Sequence, residues 1–184
     1  MDTLINQLNK KVAAYNHVLE NTILFRKEWR DAVKQLISGT LQDFLVNSGM
    51  KGKLVENNDM ENLESISMEL GRSSSGIAQN NGTDDLKNFM IKNNGALLYQ
   101  QLFNGKIMAM VQPPHIEGYG EKKEPHFLEI VTPGEISTSL IYQHVESLLD
   151  IITEWEDFDD DSPQKKTAFQ PIGFQHTLNP EKAN

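Results

Sequence analysis

The sequence predicts an α+β fold: a long N-terminal helical region, a mostly antiparallel sheet of about five strands with a short inserted helix, a C-terminal amphipathic helix and an extended tail. Three observations carry that prediction. The first 48 residues place apolar side chains at helical spacing without a proline. Two apolar-rich segments in mid-chain flank Asn104-Gly105, the preferred two-residue hairpin turn. Residues 137–155 carry a broad apolar stripe of helical period.

In the N-terminal region Leu8, Val12, Tyr15 and Leu19, then Trp29, Val33 and Leu36, recur at helical spacing, and the first proline is Pro113. A helix from Asp2 to Asn47 would be about 69 Å long at 1.5 Å per residue. A globule of this chain length has a radius of gyration of roughly 16 Å. The helix outreaches its own domain, so part of its stripe needs another partner. A heptad continued from Leu19 puts Thr22 and Arg26 at seam positions, which interrupts a simple coiled coil. Ser38-Gly39 is a second soft spot. One long helix and two consecutive helices both fit, ending at Asn47-Ser48-Gly49.

Further along, Ile66, Met68 and Leu70 alternate with polar residues as in a half-buried strand, with a shorter strand at 53–56 to pair with it. Gly71–Gly76 is serine-rich and reads as a loop. Thr83 followed by Asp84 and Asp85 reads as an N-cap, and Leu86, Phe89 and Met90 as the apolar face of a short helix closed by Asn94-Gly95. A type I′ turn at Asn104-Gly105 would pair Leu102 with Ile107, Tyr99 with Met110 and Leu98 with Val111. One face would then carry Leu98, Leu102, Ile107, Ala109 and Val111, and the other Leu97, Tyr99, Phe103, Met108 and Met110. Both faces are apolar enough to need a cover. Residues 125–132 form another strand before the Pro133-Gly134 turn. Ile141, Val145, Leu148, Ile152 and Trp155 mark the final helix. The chain divides into a helical region (1–48), an α+β body (49–156) and an extended tail (157–184) that starts acidic and contains Phe169, Ile172 and Phe174.

Composition narrows the function classes. The chain has no cysteine, which removes disulfides, thiolate zinc sites and cysteine nucleophiles and fits a reducing cytoplasm. The N-terminus has no basic segment followed by an apolar one, and no apolar run approaches the length of a membrane span. The net charge is −9, yet residues 1–53 sum to +3 and residues 54–184 to −12. So acidic a body makes nucleic acid a poor partner. The basic cluster Arg26, Lys27, Arg30 and Lys34 has a complement in the acidic run from Glu154 to Asp161, although two solvated faces explain both.

No motif identifies a chemistry, and no cofactor is expected. The leading expectation is a non-catalytic cytoplasmic protein that associates, with itself or with another subunit. Trp29, Val33 and Leu36 of the helical region and Phe169, Ile172 and Phe174 of the tail are its contact residues. The alternative is a sensor-like domain holding a small ligand on Tyr99, Phe103, Met108 and Met110, since methionine adapts to varied shapes. The weakest expectation is a metal-dependent enzyme built on the 115–129 loop, with His115, Glu117 and His126 as ligands. It lacks any recognised ligand spacing, and Lys122-Lys123 within the loop suits a solvated tip.

Overall fold

The computed structural model describes residues 2–80 and 87–157. Helix α1 (Asp2–Glu28) runs into a π-helical turn (Trp29–Val33) and then α2 (Lys34–Ser48) without a break. The two predicted alternatives thus resolve into one continuous helix with a widened turn. Lys34 N–H donates to the Trp29 carbonyl five residues back. That turn takes up one extra residue, which lets Trp29 and Val33 both face inward with Ile37 and Leu41. The helix stops at Gly49, whose φ of 67° is the left-handed C-terminal cap.

Strands β1 (Lys53–Asn57), β2 (Ser65–Glu69), β5 (Ala96–Gln101), β6 (Ile107–Gln112) and β8 (His126–Val131) form a five-stranded antiparallel sheet in the order β1-β2-β5-β6-β8. A second sheet joins β3 (Arg72–Asn80), β4 (Lys87–Asn93) and the two-residue β7 (His115–Ile116) in the order β3-β4-β7. A 3-10 turn (Pro133–Glu135) follows β8 and is closed by a capping box between Thr132 and Glu135. Helix α3 (Thr138–Glu156) begins at Ser137, whose hydroxyl accepts from the Leu140 amide. Helices α2 and α3 pack on one face of the larger sheet, and Trp29, Ile37, Leu41, Ile66, Met68, Leu97, Tyr99, Ile107, Val111, Ile141 and Leu148 fill the core between them.

Two expectations are corrected. Lys87–Asn93, expected within the inserted helix, is strand β4, and the serine-rich loop before it is strand β3; the expected N-cap at Thr83, with Asp84, Asp85 and Leu86, lies outside the described residues. An isolated helix of about a dozen residues is marginal in water. As a strand the same segment pairs its backbone with β3 on one side and β7 on the other. The β3–β4 register shifts between Ser74 and Ala78, and Gly76 sits inside the shift with φ 76°. What looks like loop composition is therefore a bulge within a strand.

The hairpin is the second correction. A type I′ turn needs positive φ at both central residues. Among the described non-glycine residues only Asn62 has positive φ, so Asn104 does not adopt it. Instead Gly105 N–H donates to Leu102 O and Leu102 N–H donates to Lys106 O, both at 2.8 Å, which makes a three-residue loop with Gly105 at φ 77°. The register moves by one, pairing Tyr99 with Ala109 and Gln101 with Ile107. A one-residue slip exchanges the faces of one strand. Leu97, Tyr99 and Gln101 join Ile107, Ala109 and Val111 in the core, while Leu98 shares the outer face with Met108 and Met110.

Candidate functional site

The long helix has two halves in opposite environments. Trp29 and Ile37 are 0% exposed, whereas Leu4, Leu8, Val12, Tyr15 and Ile23 are 56% to 71% exposed. Every residue from Thr3 to Glu20 is exposed. The cause is size. At about 4.8 Å per strand, five strands span roughly 20 Å, and strands of six residues span about the same. The 20 residues from Trp29 to Ser48 already cover that length. Residues 21–28 still border the body, and residues 3–20 extend past it.

Where the helix leaves the body, it is fastened at two points. The tip of the β5–β6 hairpin abuts α1, so that a Cβ on Gly105 would lie 2.7 Å from Phe25 Cβ and 3.1 Å from Thr22 O. Arg26 donates to the Phe103 carbonyl at 2.6 Å. One turn on, Trp29 Nε1 donates to Glu64 Oε2 at 3.1 Å, and Lys34 Nζ reaches the same oxygen at 3.1 Å and Glu56 at 3.4 Å. Burial pushes the Glu64 carboxyl up, but the hydrogen bonds from Trp29 and Lys34 and the nearby cations outweigh it and leave it below its ordinary value. Burial likewise pulls Lys34 down, and the hydrogen bonds and charges of Glu64 and Glu56 carry it above its ordinary value. Of the basic cluster, Lys34 and Arg30 are thus engaged by β1 and the β1–β2 loop, where Arg30 donates to Asn62, and Arg26 by the hairpin tip. On the acidic side, Glu156 pairs with Lys92 of β4.

The predicted partner contacts are redistributed. Trp29 and Val33, at 0% and 6% exposure, belong to the chain's own core and are not available to a partner. Their stripe faces the sheet because the π turn lies above it. Leu36 stays partly exposed on the outer side of α2. Phe169, Ile172 and Phe174 lie outside the described residues.

The predicted ligand face is divided. Tyr99 is fully buried on the core side, Met108 and Met110 lie half-buried on the opposite face, and Phe103 is at the hairpin tip with 74% exposure. Tyr99 Oη lies 2.9 Å from His144 Nδ1, and His144 Nε2 lies 2.7 Å from Glu129 Oε1. The Glu129 carboxylate accepts from Nε2–H, which leaves Nδ1 to accept from the tyrosine hydroxyl. Burial, reinforced by the Glu129 charge, raises the Tyr99 pKa and keeps its proton on. This has the outline of a proton relay, but its tyrosine is out of reach of any substrate. Its role is to satisfy two buried polar groups between β5, β8 and α3.

The predicted metal ligands are scattered over different partners. His115 sits in β7 of the smaller sheet, Glu117 pairs with Arg72 at 3.5 Å, and His126 opens β8 of the larger sheet. Among the described residues no group of three or more His, Asp or Glu side chains could hold a metal ion. No described helix is long and apolar enough to cross a membrane.

Sequence reasoning passed over Leu4 and set Ile23 to the side of the stripe, because the heptad through Leu8, Val12, Tyr15 and Leu19 does not connect them. An 11-residue repeat does: Leu4 with Tyr15, Leu8 with Leu19, Val12 with Ile23. That spacing is 3.67 residues per turn, which an almost straight helix keeps along one side. The chain matches no family model, no curated protein and no solved structure.

Proposed function

We propose that this chain acts through protein–protein association, and that the projecting half of α1 is the surface that does it. One observation carries the reading: residues 3–24 form a helix with an exposed aliphatic stripe and no core beneath it. A helix in a protein owes most of its stability to packing an apolar face, and this half has nothing of its own chain to pack on. Scattered exposed apolar residues need no explanation, but an aligned run of six over five turns is an interaction surface. The body anchors the helix at Trp29–Glu64 and at the hairpin tip, and so presents the stripe from a fixed base. The cysteine-free composition suits a reducing, cytoplasmic setting. The C-terminal segment, with Phe169, Ile172 and Phe174, is a second candidate contact.

Amide hydrogen exchange tests the reading. In a chain kept monomeric by dilution, residues 3–24 should exchange at close to unfolded rates while residues 29–48 stay protected. Strong protection of residues 3–24 in a strict monomer would mean that the helix stands alone and needs no partner.

A further inference from the structure

We infer that the occupant of this stripe is a second copy of the same chain, paired antiparallel about a two-fold axis between residues 13 and 14. The inference rests on the association reading above and adds the identity of the partner. Its basis is the symmetry of the stripe. Leu4, Leu8, Val12, Tyr15, Leu19 and Ile23 are separated by 4, 4, 3, 4 and 4 residues, a spacing that is the same in both chain directions. Antiparallel pairing about that axis sets Leu4 level with Ile23, Leu8 with Leu19 and Val12 with Tyr15. Each of these six then meets another of the six, as a two-fold interface requires because the same patch serves both copies, while exposed Ile5, Val18 and Leu24 flank the seam level with Thr22, Asn9 and Thr3.

Three further observations favour this arrangement. The first is steric. Both bodies begin at Trp29, so a parallel partner would bring its body level with the first, and the two would have to share the same end of the helix pair. An antiparallel partner overlaps only the projecting half and carries its own body past the far end.

The second is electrostatic. Between Thr3 and Leu24 the charged residues are Lys10, Lys11 and Glu20, while the whole chain carries −9. Parallel pairing sets Lys10, Lys11 and Glu20 each level with itself. The antiparallel axis sets them level with His17, Asn16 and Gln7. It also places the acidic bodies at opposite ends of the helix pair, about 30 Å apart and so several Debye lengths.

The third is area. A helix of 21 residues is about 31 Å long and 10–12 Å wide, so half of its side surface is about 500 Å². Two copies bury about 1,000 Å², the lower bound for a specific interface. The hairpin tip adds to this, since exposed Phe103 stands beside Arg26 where the second copy's first turn would end.

The chain has no cysteine, so engineered thiols report the pairing directly. Leu8→Cys and Leu19→Cys variants are oxidised singly and as an equimolar mixture, and the wild type is sedimented over a range of concentrations. The expected result is a wild type at twice the chain mass and a mixture that cross-links between the two variants. Each variant alone should form at most a tenth as much disulfide, because like positions lie about 16 Å apart along the axis. Leu4→Cys with Ile23→Cys, whose like positions lie about 28 Å apart along the axis, repeats the test should either first variant misfold. Efficient cross-linking of each variant with itself would overturn the antiparallel pairing. A monomeric wild type would overturn self-pairing. Fast exchange of residues 3–24 in that monomer leaves association with a different protein standing, whereas slow exchange removes both.

Discussion

The two halves of the long helix are alike in composition and opposite in fate. Residues 29–48 bury Trp29, Val33, Ile37, Leu41 and Leu45 against the sheet, and residues 3–24 expose a stripe of the same kind of side chain. An apolar stripe therefore states that a helix face will be covered, and the dimensions of the sheet decide which part its own chain covers. The π turn marks the border. On its C-terminal side the helix is part of the core, and on its N-terminal side it extends beyond the sheet.

The comparison can be broken most forcefully on its buried side. Trp29→Ala empties a fully buried position and leaves Glu64 without its indole donor, so unfolding free energy should fall by about 3–5 kcal/mol in denaturant titration. A loss below about 1 kcal/mol would mean that the C-terminal half is not core. A smaller effect is expected at Glu64, whose carboxylate ties the π turn to the β1–β2 loop. Glu64→Gln should cost about 1–3 kcal/mol at neutral pH. The sign follows from the shift. Glu64 has a lowered pKa when folded, so its contribution is complete above about pH 4.5 and is lost as pH falls through the folded value. Lys34 has a raised pKa, so its contribution is complete below about 10.5 and is lost as pH rises through the folded value. Stability measured against pH should therefore lose part of its acid limb in Glu64→Gln.

Gly105 sharpens the border itself. It combines φ 77° with a 2.7 Å approach to Phe25, and Gly105→Ala should cost about 1–2 kcal/mol and loosen the hairpin tip from α1. Thermal melting gives the cost, and exchange at residues 22–26 shows the loosening. The smallest effect on the body is expected from Leu8→Glu with Leu19→Glu. Neither residue touches the core, so the stability of the body should change by no more than about 0.5 kcal/mol. A large loss would place the projecting half within the folded unit and end the comparison.

Much of this architecture is legible in the sequence. The α+β class, the long helix, β1 with β2, β8 and the final helix all follow from apolar period and, at the end of the long helix, from Asn47-Ser48-Gly49. Two things are not. Asn104-Gly105 signals a hairpin, but whether its loop has two or three residues depends on the φ of Asn104. In this chain the hairpin tip also packs on α1, a contact far away in sequence. That single residue of register moved Tyr99 from an imagined ligand face into the core beside His144. Likewise Phe89 and Met90 fit a helical face as well as a strand, and the pairing of β4 with β3 decides between them. The proposed association surface is half visible in the sequence. The heptad reading chose Trp29 and Val33, which a short sheet buries, and it missed the 11-residue repeat through Leu4 and Ile23.

The most direct measurement of the central claim is sedimentation with thermal melting, on the same samples, of the wild type and the Leu8→Glu/Leu19→Glu variant. The account predicts a wild type at twice the chain mass and a variant at the chain mass, with the melting transition of the body the same in both when compared as monomers. A variant that sediments like the wild type, or one that loses the melting transition, would contradict it.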